Sequence, residues 1–413
     1  MKLSGEIALA SGFIFDYSNM INTDTITPAV IETLESKAKD AADALLLIRE
    51  QGMAKAHLSK DGTPEHVLFT KLPFVKNGNP NTPESIAKLK QFGSYLQQEI
   101  DAVVFLGVGG SYLGNKVLFD IFAGSGWNVG CEKRRHGYPR VYFSGNNLDV
   151  DQYSEVVDEV EYLATHRLGK NEQFRVLLVP ISKSGTTLET LAAFSYFYEQ
   201  CQKSSLLQME VAVVTDLDED ISPLYNLAKE NVWQCFDIKE GIGGRFCIFS
   251  DPGLITAAAI GMDIDAFLCG ARDMENACQS ASLGENPALL NAVLKYAAAE
   301  KGVDIEVFMP YAAKMKSVGE WYVQLLAESL GKRKDREGNV VYYGRTPVSA
   351  VGSTDMHAQT QQHQDGKKDK VIQFVEILER EQQIVLNNPF THISSLKKYD
   401  GLSVDHALKI ALA

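Results

Sequence analysis

Short apolar segments alternate with helical patterns over most of the chain, and this alternation constrains the fold more than any other feature. Between residues 83 and 240 we predict a strand at each of five apolar segments, namely 102–106, 140–143, 175–180, 211–215 and 233–236. Helical patterns lie between them, as in a parallel sheet covered by helices on both faces. The sequence therefore predicts an α/β fold.

A second alternating region, residues 252–377, predicts another parallel-sheet unit of similar size, and a long helical pattern spans residues 28–50 near the start. Predicted strands at 304–308 and 370–377 and a predicted helix at 314–330 define that second unit. We expect an N-terminal helical segment (1–75) packing on the second domain, a first α/β domain (76–240), a second α/β domain (241–400) and a short C-terminal helix (401–413).

Composition excludes several classes of protein. The 413 residues carry a formal net charge of −13, which argues against nucleic acid as a partner. The six cysteines show no metal-ligand spacing, and no apolar run approaches the roughly 20 residues that cross a bilayer. We expect a cytoplasmic protein without a membrane partner. An anionic substrate would need a local positive pocket.

The segment after the predicted strand 175–180 has the composition of an anion-binding loop. Hydroxyl groups of Ser182, Ser184, Thr186 and Thr187 flank Lys183 and Gly185, and a helical pattern follows. Backbone N–H groups at a helix N-terminus attract negative charge, so the segment predicts a phosphate site. The alternative is helix capping by Thr186 or Thr187, which uses the same N–H groups.

A glycine-rich turn follows the predicted strand 102–106. Its residues Gly107, Gly109 and Gly110 precede Ser111, whose hydroxyl we expect to contact a sugar phosphate. Gly107-x-Gly109 also resembles a dinucleotide fingerprint, but Tyr112 stands where the third glycine belongs. That mismatch weakens the nucleotide-binding interpretation, and a nucleotide-dependent oxidoreductase is kept only as an alternative. A turn that only permits close packing of the backbone is another alternative.

Three further residues, an arginine, a carboxylate and a histidine, together favour enolisation chemistry on a phosphorylated sugar. Arg245, between Gly244 and Phe246, is expected to be partly buried against an anion. Glu328 lies in the last turn of a predicted helix, where the helix dipole disfavours the ionised carboxylate, as suits a general base. His357 follows a polar segment and is expected on a loop, where it can shuttle protons. A structural ion pair, a surface glutamate and a solvated histidine are the alternatives.

The order of these motifs along the chain resembles the bacterial type of the glucose-6-phosphate isomerase family over residues 40–400. The matching motifs are Gly107-x-Gly109-Gly110-Ser111, Ser182 to Thr190, Gly243-Gly244-Arg245-Phe246, Glu328-Ser329-x-Gly331-Lys332 and Thr354-Asp355-x-His357-x-Gln359. The resemblance implies two sugar-isomerase (SIS) α/β/α sandwich domains, a homodimer, and no metal or cofactor. The implied reaction interconverts glucose 6-phosphate and fructose 6-phosphate in glycolysis and gluconeogenesis.

The resemblance also implies a role for each matching residue. Phosphate would bind to Ser111 and to the loop residues Ser182, Lys183, Ser184, Thr186 and Thr187. Gly110 and Gly244 would belong to the substrate-binding set, and Gln324 would contact the sugar hydroxyls. Glu328 would move the proton between C1 and C2, Arg245 would stabilise the cis-enediolate, and His357, supplied by the neighbouring subunit, would open the ring.

One family motif has no match in this chain. The family has a Gln-Pro-Gly-Val-Glu segment and then a lysine that assists ring opening, whereas this chain ends in an apolar-faced helical pattern, residues 403–413. Lys409 does not match the motif and is given no role. We therefore expect a chain shortened at its C-terminal end, and a sugar-phosphate-binding SIS protein without turnover is the alternative function.

Overall fold

The computed structural model of the chain describes residues 5–21, 26–58, 62–170 and 172–412. Parts of the predicted N-terminal segment (1–4, 22–25 and 59–61) and Ala413 of the predicted C-terminal helix lie outside the described residues. The strands, numbered in chain order, are β1 Glu6–Ala8, β2 Ile14–Asp16, β3 Met53–Leu58, β4 Pro64–His66, β5 Ala102–Leu106, β6 Arg140–Ser144, β7 Phe174–Pro180, β8 Leu207–Thr215, β9 Gln234–Asp237, β10 Ile305–Pro310, β11 Lys332–Lys334, β12 Val340–Tyr343, β13 Thr346–Ser349 and β14 Lys370–Val375.

The helices, numbered in the same way, are α1 Pro28–Gln51, α2 Pro83–Glu99, α3 Gly110–Leu118, α4 Val150–Thr165, α5 Leu188–Lys203, α6 Pro223–Glu230, α7 Asp251–Ala259, α8 Ile264–Ala277, α9 Pro287–Ala299, α10 Lys316–Leu330, α11 Thr354–Asp365, α12 Ser394–Lys397 and α13 Val404–Leu412. The chain divides into two compact units, one up to Ala297 and one from Ala298 onward. Each unit is described by itself.

A five-stranded parallel sheet in the order β6-β5-β7-β8-β9 forms the centre of the first unit. All five predicted strands are present, and the predicted α/β class is confirmed. Every residue of β5 is buried, because helices cover both faces of the sheet. Val104 packs with Val160 of α4 and Phe197 of α5, whereas Phe105 stacks on Phe143 with ring centroids 5.6 Å apart.

The boundary between the units differs from the predicted domain boundary at 240/241. Every residue of α7 is buried. A Cβ on Gly93 of α2 would lie 2.9 Å from the carbonyl oxygen of Ala258, so these two helices are in direct contact. Helix α1 contacts the same region, since Arg49 forms an ion pair with Glu275 at 2.5 Å. Residues 241–297, predicted to start the second domain, therefore belong to the first unit.

The second unit contains a three-stranded parallel sheet in the order β13-β10-β14, smaller than the first sheet. The expectation of two parallel-sheet units of similar size was therefore wrong. Val307 and Met309 of β10 form its core with the partly buried Leu408 of α13. The antiparallel pair β11 and β12 and the helix α8 were not predicted. The apolar-faced C-terminal helix was predicted, and it is present as α13.

Val232 has an unfavourable backbone conformation that a substitution would relieve. This residue follows α6 with φ of +57°, a left-handed conformation that costs a β-branched residue about 1 kcal/mol or more. Its side chain is 91% exposed, so little packing would be lost. We predict that Val232→Gly raises the free energy of unfolding of the first unit by about 1 kcal/mol, measured by urea denaturation.

Val129→Gly is the matched control for this prediction. Val129 is 85% exposed and is not among the residues with positive φ. Glycine there only adds conformational freedom to the unfolded chain, so stability should fall or stay the same. A Val232→Gly protein no more stable than the wild type would contradict the prediction.

Candidate functional site

The candidate site of the first unit lies where β5 and β7 end side by side. Leu106 pairs with Pro180 at the carboxyl ends of these strands. Because β6 lies on the other side of β5, the loops after β5 and β7 leave the sheet in opposite directions, and α/β proteins bind ligands in the crevice formed there. Both predicted phosphate segments, Gly110 with Ser111 and residues 182–187, lie at this edge.

The loop after β7 is held by hydrogen bonds among its own hydroxyls. The hydroxyl oxygens of Ser182 and Thr187 are 2.8 Å apart, within hydrogen-bond distance. The Thr186 hydroxyl donates to the Ser184 hydroxyl at 2.9 Å. Ser182 is buried, whereas Lys183 and Ser184 are exposed. Thr187 directly precedes α5, but its side chain makes no capping hydrogen bond. The hydroxyl of Thr187 is therefore not used for capping α5.

Arg245 lies next to the Ser111 segment because two glycine backbones are in contact. A Cβ on Gly110 would lie 2.2 Å from the carbonyl carbon of Gly244, so no side chain fits at position 110. Arg245 is half-buried, as predicted, and its guanidinium lies 4.8 Å from the centre of the Phe246 ring. The structure thus brings Gly110, Ser111, Gly244 and Arg245 together.

Lys183 of the loop after β7 has an electrostatic effect on Cys247. Burial raises the pKa of the Cys247 thiol to about 11, while a hydrogen bond with Ser250 and the positive charge of Lys183 act in the opposite direction. Cys247 lies in the 3₁₀ helix Gly244–Phe249, directly after Arg245 and Phe246. The positive charge of Lys183 therefore acts on Cys247, two residues after Arg245.

Aspartates lie at the same edge of the sheet, near the carboxyl ends of β8 and β9. Asp216 follows β8, and burial raises the pKa of its carboxyl. Asp251 begins α7 and accepts a hydrogen bond from the Asp237 N–H at 3.1 Å. Burial raises the pKa of Asp251 to about 6; the hydrogen bond from Asp237 opposes this shift and the negative charge of Asp237 adds to it. An ionised Asp251 therefore destabilises the folded state.

We predict that Asp251→Asn stabilises the protein in a pH-dependent way. The carboxyl has a higher pKa folded than unfolded, so its contribution to stability is complete below about pH 4 and is lost as pH rises to about 6. Asparagine does not titrate but can still accept from Asp237. The stability gain of the variant should grow by about 2 kcal/mol between about pH 4.5 and about pH 7.5 in urea denaturation. Parallel pH curves for the two proteins would contradict this.

In the second unit, Gln324 and Glu328 form a pair on α10. The Gln324 Nε2 donates to the Glu328 Oε1 at 2.8 Å, one helical turn apart. Gly331 ends the helix as predicted, and the Lys332 ammonium donates to the Ser329 carbonyl at 3.0 Å. Glu328 is exposed within this unit. The pair therefore presents an oriented carboxylate at the C-terminal end of α10.

His357 lies on a helix, so the expectation of a loop was wrong. Helix α11 begins at Thr354, and the Asp355 carboxylate accepts the Val351 N–H at 2.6 Å just before it. None of the α11 residues is buried, so the sequence lacks the apolar periodicity that predicts a helix. His357 is exposed, and it lies on a different helix from the Gln324–Glu328 pair.

A buried network on β10 was missed from the sequence. Glu306 is fully buried and accepts from the Arg345 Nε at 3.1 Å and from the Tyr322 hydroxyl. Burial first, and then the Glu306 carboxylate, raise the pKa of Tyr322 above its usual range. The only signal in the sequence was a glutamate inside an apolar strand. Because Tyr322 belongs to α10, this network holds the helix of Glu328 on its sheet.

We predict that Arg345→Met strongly destabilises the second unit. The side chains of Arg345 and Glu306 are 4% and 0% exposed, and removing one partner of a buried ion pair costs about 3–5 kcal/mol. Adding Glu306→Leu should recover most of the loss in urea denaturation. Lys39→Met, which breaks the exposed pair with Asp43, is the control and should leave the midpoint unchanged. An Arg345→Met protein as stable as this control would contradict the prediction.

The part of the chain that the structure describes contains neither a metal-binding cluster nor a membrane-spanning helix. In 5–21, 26–58, 62–170 and 172–412, no three His, Cys, Asp or Glu side chains are grouped so that they could bind a metal ion. Over the same residues, no helix combines the length and apolar character needed to cross a membrane.

Comparison with known proteins shows extensive similarity. The profile described as phosphoglucose isomerase matches residues 87–396. The chain is 32% identical over 340 residues to glucose-6-phosphate isomerase of Carboxydothermus hydrogenoformans, covering 82% of this chain and 69% of that protein. It is 33% identical over 292 residues to glucose-6-phosphate isomerase of Methanocaldococcus jannaschii, covering 71% of this chain and 63% of that protein. The chain thus spans about two thirds of the length of these curated relatives.

Solved structures are similar over nearly the whole chain. A hypothetical protein from Thermus thermophilus superposes with a TM-score of 0.73 at 25% identity, covering 93% of this chain and 80% of that one. A glucose-6-phosphate isomerase from Chlamydia trachomatis superposes with a TM-score of 0.77 at 23% identity, covering 99% of this chain and 74% of that one. The second similarity shows the fold alone.

Proposed function

The chain belongs to the phosphoglucose isomerase family, and on that premise we propose that it interconverts glucose 6-phosphate and fructose 6-phosphate. The observation that carries the proposal is the backbone contact between Gly110 and Gly244. This contact supports the proposal because it joins the segment of Ser111 to the segment of Arg245, and residues 182–187 follow the neighbouring strand β7 at the same sheet edge. Together these segments supply the chemistry needed for a phosphorylated sugar, namely donors for the phosphate and a cation for a developing oxyanion.

The phosphate is assigned to the hydroxyls and N–H groups of the first unit. Ser111 and the exposed Lys183, Ser184 and Thr186 supply donors, together with the half-buried Thr187. Ser182 is assigned to the same set, and its buried hydroxyl contributes by orienting Thr187. The N-terminus of α5 adds partial positive charge.

The proton transfer is assigned to Glu328, with Gln324 and Arg245 in supporting roles. In the open-chain sugar, Glu328 removes a proton from the carbon next to the carbonyl and returns it to the neighbouring carbon. The Gln324 amide orients the carboxylate and contacts the sugar hydroxyls. Arg245 stabilises the negative oxygen of the cis-enediolate between the two transfers.

His357 is assigned to ring opening, in which a proton leaves the anomeric hydroxyl and one reaches the ring oxygen. We propose a cytoplasmic homodimer in which the neighbouring subunit supplies this histidine. The reaction requires neither metal nor cofactor, and it belongs to glycolysis and gluconeogenesis. The exposure of His357 on α11 is compatible with a role at a second subunit.

We predict that Glu328→Gln lowers kcat by about 10²–10⁴-fold, because glutamine cannot accept the proton. KM should change little, since the amide retains hydrogen bonding. Conversion of fructose 6-phosphate to glucose 6-phosphate is followed by coupling to glucose-6-phosphate dehydrogenase. Glu320→Gln is the matched control, because Glu320 lies on the same helix and pairs with Lys316 at 3.8 Å. That variant should turn over at the wild-type rate.

Two results would contradict the proposal in different ways. Turnover that persists in Glu328→Gln would show that another group is the base. A wild-type chain that binds fructose 6-phosphate without converting it would instead support the alternative, a sugar-phosphate-binding protein without turnover.

A further inference from the structure

Two buried hydroxyls lie directly beneath the phosphate loop. Thr215, the last residue of β8, and Ser222, just before α6, are both 0% exposed, and their hydroxyl oxygens are 2.6 Å apart. The Thr215 hydroxyl also hydrogen-bonds to the Ser182 carbonyl at 2.7 Å. Neither residue belongs to the motifs on which the sequence resemblance rests. Together they connect β8 and α6 to the first residue of the loop.

Ser222 also explains why residue 185 is a glycine. A Cβ on Gly185 would lie 2.2 Å from the Ser222 oxygen, and the φ of Gly185 is +63°. The Ser222 side chain itself accepts from the Tyr225 N–H at 3.3 Å and so caps α6. The start of α6 therefore packs against the loop and fixes the position of the Gly185 backbone.

Hydrogen bonds turn two loop carbonyls toward β8. The Ser182 carbonyl accepts from Thr215, and the Lys183 carbonyl accepts from the Asp216 N–H at 3.2 Å. In a trans peptide the carbonyl of one residue points opposite to the N–H of the next. The N–H groups of Lys183 and Ser184 therefore point away from β8. Among the described residues, these two N–H groups donate to no protein acceptor.

We propose that Thr215 and Ser222 are positioning residues for the phosphate-binding loop, holding the Ser182 carbonyl and the Gly185 backbone so that the N–H groups of Lys183 and Ser184 face the phosphate. Successive N–H groups that point to one side form an anion-binding concavity. The inference rests on the proposed function, because it deepens the phosphate assignment. Neither hydroxyl contacts substrate, so their effect acts through the loop.

Thr215→Val tests the proposal because it keeps the shape of the side chain and removes only the hydroxyl. KM for fructose 6-phosphate should rise about tenfold, the effect of losing one positioning hydrogen bond. The value of kcat should change less than twofold, since the phosphate is remote from the reacting carbons and is bound equally in ground and transition states. Thr215→Ser, which restores the hydroxyl, should restore KM. Ser222→Ala should raise KM in the same way.

Thr256→Val is the matched control. Thr256 is also 0% exposed, but its buried hydroxyl has no hydrogen-bond partner among the residues that the structure describes. The Thr256→Val variant should keep the wild-type KM, and its melting temperature should not fall. A Thr215→Val protein with a lower melting temperature and an unchanged KM would show that the hydroxyl only stabilises the fold, and would overturn the proposal.

Calorimetric titration of the full chain with inorganic phosphate separates this inference from the proposed function. If the wild type binds phosphate without turning over fructose 6-phosphate, the isomerase proposal fails. The inference is then decided by whether Thr215→Val weakens phosphate binding about tenfold. If the wild type binds no phosphate and shows no turnover, the phosphate assignment and this inference both fail.

Discussion

The pairing of β5 with β7 is the interaction on which the arrangement of the first unit depends. It places two strands that are not consecutive in the chain next to each other, with β6 on one side and β8 on the other. The loops after both strands then open at one edge of the sheet. A strand order in which β5 and β7 were not neighbours would separate Ser111 from residues 182–187. The parallel arrangement explains two features at once. The strands are apolar because both faces of the sheet are buried, and the candidate site lies at the carboxyl ends of the strands.

Direct contact of glycine backbones brings the third segment to this edge. Gly110 and Gly244 approach so closely that even a methyl group at position 110 would overlap with the backbone of residue 244. Arg245 follows Gly244 directly, and the next residue, Phe246, stacks on Phe69 with centroids 4.0 Å apart. The segment that carries the arginine is thus held by contacts of the residues before and after it.

How much of the structure could be predicted from the sequence depended on whether a feature leaves a local pattern. The strands of the first sheet and the segments that end them are local, and they were found. Helix α11, which carries His357, has no buried residue, so it leaves no apolar periodicity. The ion pair of Glu306 with Arg345 joins residues 39 positions apart, and the contact of α7 with α2 depends on tertiary packing. Local patterns do not encode such contacts, and for the same reason Thr215 and Ser222 were missed.

The charge of the protein gives these missed hydroxyls their importance. With a net charge of −13 and the aspartates Asp216 and Asp251 at the same edge, long-range electrostatics do not favour an anionic substrate. Fields from exposed charges are screened beyond about 8 Å at physiological ionic strength, so donors in direct contact dominate binding. Backbone N–H groups are uncharged donors, and their contribution depends on orientation. For the proposed phosphate site, the groups that orient the loop from below therefore matter alongside the cations Lys183 and Arg245.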